Sequence, residues 1–248
     1  MKYIKIKPFE DTNLVKTVVT TNENTNWAQG NEAALENYKA LGAEFSITPA
    51  QMVRTWQVHS AGVRAVTKEQ GGDFILNDIT APETDGLITN ERGLMLCTLQ
   101  ADCVPVFLLD PVKKVIGMIH SGWKGTVADM MGAAVKEITR LGGEVKNIRA
   151  AIGPAISRCC YETGPEVKEA VEALLGADAA GLCPPEEGVP GKYMVDLKET
   201  NRRRLLQLGV EAASIDVSPD CTMCMSDVYW SHRATKGVRG TMASIIML

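Results

Sequence analysis

Cys103 and His120 stand at the two open ends of an apolar hairpin in the stretch LQADCVPVFLLDPVKKVIGMIHSGWKGT, Leu99 to Thr126. Two β-branched-rich runs, Val104–Leu109 and Val115–Ile119, flank a Pro-containing turn, which is a hairpin pattern. A two-residue loop at Pro111–Val112 pairs Cys103 with His120. A four-residue loop, Pro111–Lys114, pairs Cys103 with Gly122 and leaves His120 diagonal. Side chains repeat every two residues along a strand, so both registers put thiol and imidazole on one face, and only an odd loop would split them. A thiol and an imidazole held together at a strand end can bind a metal, form a nucleophile–base pair, or sit as locally hydrogen-bonded polar groups.

The chain has three histidines, His59, His120 and His232. A catalytic zinc takes three protein ligands and leaves a fourth position open, and His59, Cys103 and His120 would make such a set. A His₂Cys set also suits a single copper. A multicopper cluster needs many more imidazoles than three, so that oxidase chemistry is excluded by counting. Ser121-Gly122-Trp123-Lys124-Gly125-Thr126 lies between the His120 strand and a helix start, where exposed amides and a lysine suit phosphate or carboxylate. The Gly-x-x-x-x-Gly-Lys-Ser/Thr phosphate loop is missing. Asp102, beside Cys103, and Asp85, in a turn before a strand, are the carboxylates able to orient an imidazole. Arg158, Arg233 and Arg239 stand beside apparent loops and could grip phosphate by forked hydrogen bonds. Cys221-Thr-Met-Cys224 has Cys-x-x-Cys spacing, but no second Cys pair or nearby His-x₃-His completes a zinc site. Cys159 and Cys160 are adjacent, and on extended chain they would point opposite ways. Both pairs therefore read as structural thiols.

These groups must be positioned by an ordinary apolar framework: 248 residues, 45% apolar and 23% charged, with a formal charge of −4. That balance offers no basic field for nucleic acid, and Arg202–Arg204 reads as a solvated helix face. No apolar run approaches the roughly 18 residues of a membrane span. The N-terminal MKYIKIKPFEDT alternates like a strand and lacks a signal-peptide core, so seven cysteines are expected as reduced thiols in a cytoplasm. Strands are expected at Tyr3–Lys7, Leu14–Thr20, Trp56–His59, Val63–Thr67, Asp85–Thr89, Leu94–Leu99, the hairpin, Arg149–Ile152 and Ala243–Leu248. Helices are expected at Gln29–Leu41, from Thr48 to near Thr55, at Thr126–Leu141 and at Pro165–Leu175. Gly176–Gly191 is the one linker-like stretch. The C-terminal piece beyond it is too short to stand alone, and its last strand should rejoin the main sheet. A single α/β domain over 1–248 with mixed sheets is expected, since hairpins and intervening helices argue against a purely parallel sheet.

Several short motifs recur together: Gln57-Val58-His59, Asp85-Gly86-Leu87-Ile88-Thr89, Ala101-Asp102-Cys103-Val104-Pro105-Val106, His120-Ser121-Gly122-Trp123-Lys124-Gly125, Ile152-Gly153-Pro154-Ala155-Ile156, Cys160-Tyr161-Glu162, Val195-Asp196-Leu197, Cys221-Thr222 and Ser231-His232-Arg233. In this order they resemble the YfiH-like family, labelled multicopper polyphenol oxidase or laccase-domain proteins, from about Trp56 to the C terminus. The resemblance implies an α/β/β/α-layered domain and zinc held by His59, Cys103 and His120. It implies purine nucleoside chemistry: phosphorolysis of adenosine, inosine, guanosine and methylthioadenosine, with adenosine deamination alongside. Purine nucleoside and phosphate are then the small-molecule partners. In that reading Cys103, His120, Asp102 and Lys124 carry catalysis, and Gln57, Gly122, Trp123 and Arg233 contact substrate. The sequence departs from the family pattern at three cations. Asn22 stands where an N-terminal Arg falls, Ala234 follows Arg233 in place of a second Arg, and Gly240-Thr241 replaces Gly-Arg. Arg54, Arg64 and Arg239 are the candidate substitutes. The same residues also admit a metal-free Cys–His hydrolase, for which the resemblance suggests peptidoglycan precursors as substrate, or a non-enzymatic relative that keeps the scaffold.

Overall fold

A computed structural model describes residues 2–23, 27, 32–76 and 83–248. Among them the strands are β1 (Tyr3–Lys5), β2 (Lys16–Thr20), β3 (Met52–Arg54), β4 (Val63–Ala65), β5 (Gly86–Thr89), β6 (Met95–Gln100), β7 (Val104–Asp110), β8 (Val115–Ser121), β9 (Arg149–Ile152), β10 (Glu162–Thr163), β11 (Tyr193–Met194), β12 (Ile215–Val217) and β13 (Met242–Met247). The helices are α1 (Glu32–Phe45), α2 (Trp123–Val127), α3 (Met130–Arg140), α4 (Pro165–Leu175) and α5 (Leu197–Gln207). Two mixed sheets form, with strand orders β1-β2-β13-β6-β3 and β12-β9-β7-β8-β5-β4.

The continuous apolar runs of the hairpin follow from its position. Every residue of β7 and β8 is buried. Val104, Val106 and Leu108 face a core shared with α3, α4 and α5. Phe107 and Leu109, pointing the other way, join Val19, Leu96 and Ile246 of the second sheet. That sheet's far face, with Val18, Met95 and Ile245, packs on Tyr38 and Leu41 of α1. The result is the expected α/β/β/α layering, and a strand buried on both faces cannot alternate apolar with polar. The hairpin takes the four-residue loop: Asp110 pairs with Val115 and Val104 with Ser121. Asp110 closes the turn by accepting from the Val112 and Lys113 amides at 2.9 Å each. The last strand, β13, inserts between β2 and β6.

Several expected elements change for local reasons. After the Thr48–Gln51 capping turn, Met52–Arg54 leaves the expected helix to pair in parallel with Met95–Cys97. Trp56–His59 forms no strand, because the Val58 and His59 amides turn onto the Asp85 carboxylate. The helix expected over Thr126–Leu141 is two helices, broken where Asp129 adopts a left-handed φ of 68°. Asp129 then caps α3 by accepting from the Gly132 amide at 3.0 Å. The helix expected at Gln29–Leu41 is observed as Glu32–Phe45 and runs through Gly42; residues 29–31 lie outside the described residues. Pro165–Leu175 is helical as expected. Gly176–Gly191 is not a free linker: it opens with a 3-10 turn, buries Ala179 and Leu182, and bridges Pro185 to Tyr193.

Candidate metal centre

Three loop and strand ends converge. His59 lies in the loop between β3 and β4, Cys103 directly precedes β7, and His120 is near the end of β8. One ligand atom from each lies within 4.8 Å of the others. The rings of His59 and His120 meet edge to face, with centroids 5.0 Å apart. Gly122, paired in register with the position before β7, leaves the centre open. A Cβ there would lie 2.8 Å from His59 Cδ2 and 3.2 Å from Cys103 Sγ. A side chain at 122 would fill the space the three donors surround, which is the physical reason for glycine.

Asp85, fully buried, builds this geometry from the other side. Its Oδ1 accepts from His120 Nδ1 at 2.8 Å, which turns Nε2 toward the Cys103 thiol at the centre. The same carboxylate accepts from the amides of Val58 (3.2 Å), His59 (3.0 Å) and Ser60 (2.8 Å) and from the Ser60 hydroxyl. One side chain therefore orients one imidazole and folds the loop carrying the other, holding His59 at a left-handed φ of 62°. Burial opposes charge on Asp85, but the His120 ring and the Ser60 and Val58 amides outweigh it, and its carboxyl lies below the ordinary range.

Burial likewise opposes the Cys103 thiolate. The charge of His120 and hydrogen bonds from His120 and His59 overcome it and bring the thiol down to about 6. Against its own burial, His120 is raised by the Cys103 thiolate and by Asp85. Two imidazoles and a stabilised thiolate around a common point suit zinc, which accepts N and S donors together.

The three residues open onto a cavity of about 240 Å³ whose wall includes Arg54, Trp56, Gln57, Gln100, Arg239 and Thr241. Arg54 is buried and donates from Nε to the Phe74 carbonyl. Arg239 is exposed. Trp56 packs on Phe74 with the rings tilted by 33° and centroids 5.5 Å apart, and it remains 43% exposed, an aromatic face beside the centre. The side-chain oxygens Gln100 Oε1 and Thr241 Oγ1 are buried without a hydrogen-bond partner among the described residues. Such atoms are costly unless a ligand or water meets them.

The other sequence candidates fall in distinct places. Gln57 lines the cavity, but its amide is bound to the backbone of Leu99 at 2.6 and 2.7 Å. Trp123 begins α2 and packs on the helical core, and Lys124 is exposed with its ammonium over the Trp123 ring. Asp102, at a left-handed φ of 84°, accepts from the Thr222 hydroxyl (2.6 Å) and the Arg233 amide (2.7 Å), not from an imidazole. Arg233 donates to the Glu162 carbonyl and covers the Tyr161 ring. Arg64 pairs with Asp73 at 3.8 Å, and His232 accepts from Arg239 at 3.3 Å. Asn22 bonds the backbone of Ser226 and Val228. Sequence reasoning missed Trp56 and Gln100 as wall residues. Their only signal was adjacency to Gln57 and to the Ala101-Asp102-Cys103 motif.

The α/β/β/α layers and an open His₂Cys donor set define a protein with a candidate metal centre at the floor of a pocket. Residues 15–248 match the family described as multi-copper polyphenol oxidoreductase laccase, and the chain belongs to that family, which includes the YfiH-like proteins. It is 38% identical over 192 residues to the purine nucleoside phosphorylase YlmD of Geobacillus stearothermophilus, covering 77% of this chain and 69% of that one. It is 32% identical over 195 residues to adenosine deaminase RL5 of an unknown prokaryotic organism, covering 78% and 73%. The crystal structure of the Bacillus licheniformis hypothetical protein YfiH superposes with a TM-score of 0.92 at 30% identity, covering 100% of this chain and 96% of that one. Relatives of this chain are therefore named as nucleoside-processing enzymes. The multi-copper part of the family description does not agree with a chain that has three histidines and places two of them at this centre.

Proposed function

We propose that this chain is a zinc-dependent purine nucleoside enzyme, catalysing phosphorolysis of adenosine, inosine, guanosine or methylthioadenosine and deamination of adenosine. The observation that carries the reading is the convergence of His59, Cys103 and His120 around Gly122 at the floor of an open pocket. Those three residues would hold the ion. When bound, zinc supplies Lewis acidity, able to activate water or polarise phosphate at neutral pH.

The protein's own groups do the rest. Asp85 keeps His120 Nε2 aimed into the centre by holding the proton on Nδ1. Trp56 offers a flat apolar face on which a purine can stack. Gln100 and Thr241 line the cavity and carry buried oxygens, Oε1 and Oγ1, with no partner among the described residues; a rotation that turned them to the cavity would let them bond the amine of a base or the hydroxyls of ribose. Arg54 and Arg239 put two cations on the wall for phosphate, in place of the arginines absent at 22, 234 and 241. Lys124, stacked over Trp123, is not among the cavity's lining residues, so in this reading the anion-holding role passes to that pair.

The test is elemental analysis of the purified protein beside a nucleoside assay with and without phosphate. Free base that forms only with phosphate reports phosphorolysis, and inosine from adenosine without phosphate reports deamination. Full turnover by a metal-free Cys103→Ala protein would overturn the proposal. A second reading, a Cys–His hydrolase with Cys103 as nucleophile and His120 as base, is favoured by the lowered Cys103 thiol alone. It predicts inactivation by a thiol alkylator and indifference to a chelator.

A further inference from the structure

We infer that Cys159, Cys160, Cys221 and Cys224 hold a second zinc ion in a closed tetrathiolate site. The sequence separates the pairs by some sixty residues and reads each as structural, yet the fold brings all four sulfurs within 4.8 Å of one another. Cys160 Sγ is 3.3 Å and Cys159 Sγ 3.6 Å from Cys224 Sγ. Four sulfurs about 2.3 Å from one zinc in a tetrahedron are separated by about 3.8 Å along each edge. The observed spacings are close to that edge.

Two backbone turns make the arrangement possible. Cys159 and Cys160 are not on extended chain. The amides of Cys160 and Tyr161 both bond the Ser157 carbonyl, at 2.9 and 3.1 Å, and this tight turn lets adjacent thiols face one side. Opposite, Cys221 pairs with Ala155 in an isolated parallel bridge, and the Met225 amide closes a helical turn on the Cys221 carbonyl at 2.9 Å. The Ser157 amide points at Cys221 Sγ at 3.4 Å, and the Met223 and Cys224 amides donate to the same sulfur. Backbone N–H groups aimed at a cysteine sulfur stabilise a thiolate ligand, so the Cys-x-x-Cys turn is shaped for metal binding.

Charge is compensated nearby. Binding zinc releases the thiol protons to solvent and leaves a dianionic Zn(Cys)₄ unit. Lys198, 5% exposed, sits beside it with Nζ on the carbonyls of Ser218 (2.8 Å) and Asp220 (3.0 Å), and its charge faces the Asp196 carboxylate first, then Cys221, Asp220 and Cys159. Such a buried ammonium is most readily accommodated next to negative charge. The cluster also reaches the first centre through the chain. Thr222, inside the Cys-x-x-Cys turn, donates to Asp102, the neighbour of Cys103. A zinc ion here would pin that turn and, through it, the backbone that presents Cys103.

The test uses the full chain purified under reducing conditions and reconstituted with Zn²⁺, or with Co²⁺ for spectroscopy. Elemental analysis should give two zinc ions per wild-type chain, one for the Cys221→Ser/Cys224→Ser variant and one for His120→Ala. Cobalt-loaded His120→Ala should keep an intense sulfur-to-cobalt charge-transfer band, which the double serine variant loses. If the double variant fails to fold, the His120→Ala spectrum alone decides, because it isolates the four-sulfur site. Equal stoichiometry in wild type and double variant, iron in place of zinc, or a Cys160–Cys224 disulfide in the reduced preparation would overturn the inference. Loss of the first centre removes the other equivalent, so the two assignments fail separately.

Discussion

The two clusters of candidate metal ligands differ in how they are built, and the difference separates a site suited to chemistry from one suited to scaffolding. The His59–Cys103–His120 centre draws one donor from each of three segments, mixes nitrogen with sulfur, and opens on a cavity. The four-cysteine cluster draws two donors from each of two tight turns and offers sulfur on every side. Three mixed ligands with a free position suit a reacting site, whereas four thiolates complete the coordination of zinc and leave nothing for substrate. The hydrogen-bonded surroundings differ in the same sense. Asp85 orients an imidazole at the first, while backbone amides and Lys198 surround the second.

The largest effect should come from emptying the open centre. Cys103→Ala or His120→Ala should reduce nucleoside turnover to background, since several kcal/mol of transition-state stabilisation depend on the ion. One zinc per chain should be lost and melting should stay near wild type. Asp85→Asn comes next, because its carboxylate serves His120 and the His59 loop together. We expect metal affinity at this centre to fall by roughly 10–100-fold, measured by competition with a chelator. The four-cysteine cluster should behave in the opposite way. Cys221→Ser/Cys224→Ser should act mainly on stability, and each kcal/mol lost lowers Tm by about 2–4 °C in a chain of this size. A variant that loses zinc from the cluster but melts unchanged would break the contrast.

Thiol chemistry sharpens the same comparison. In metal-free protein Cys103 lies at about 6, since its histidine neighbours outweigh burial. Cys159 is pushed up to about 11, first by burial and then by the Cys224 thiol. At pH 7 Cys103 is mostly thiolate and Cys159 almost wholly thiol. Iodoacetamide should therefore label Cys103 first although Cys159 is the more exposed, and the ratio should shrink as pH rises toward 11. Peptide mass spectrometry of timed samples reads the order directly.

The clusters were unequally legible in the sequence, and the reason is geometric. Cys103 and His120 belong to one hairpin, where a period of two places them on a common face for any even loop. His59 was visible only as one of three histidines and through a family motif, because its loop is shaped by a carboxylate 26 residues away. Asp102 and Asp85 looked alike as candidate partners. Only the fold shows that Asp85 reaches the ring while Asp102 is held by Thr222 and Arg233. The four-cysteine cluster was hidden because its halves meet through a single bridge, Ala155 to Cys221, which no periodicity announces. The layers were readable from apolar runs and the helix at Pro165–Leu175. Asp129 broke the helix expected over Thr126–Leu141, since the residue pattern there continues across a left-handed turn.

The smallest expected effect belongs to that turn, which is held by charge and provides a control remote in mechanism from both clusters. Arg204 forks onto Asp129 at 2.8 Å through Nε and NH2, tying α5 to the start of α3. The Arg204 hydrogen bonds hold the Asp129 carboxyl below its ordinary value; burial opposes this and the Gly132 amide adds to it. A carboxyl depressed in the folded state stabilises fully above its unfolded pKa, and the contribution is lost as pH falls through the folded value. Asp129→Asn should therefore be less stable than wild type at pH 7, and the gap should close as pH drops below about 4. The pair is partly exposed, so the gap should stay within about 1 kcal/mol and shrink in high salt. Chelator should leave it untouched. If denaturant titrations instead show the Asp129→Asn gap moving with zinc, α3 and α5 are coupled to a metal centre, and the division between charge-held and metal-held regions fails.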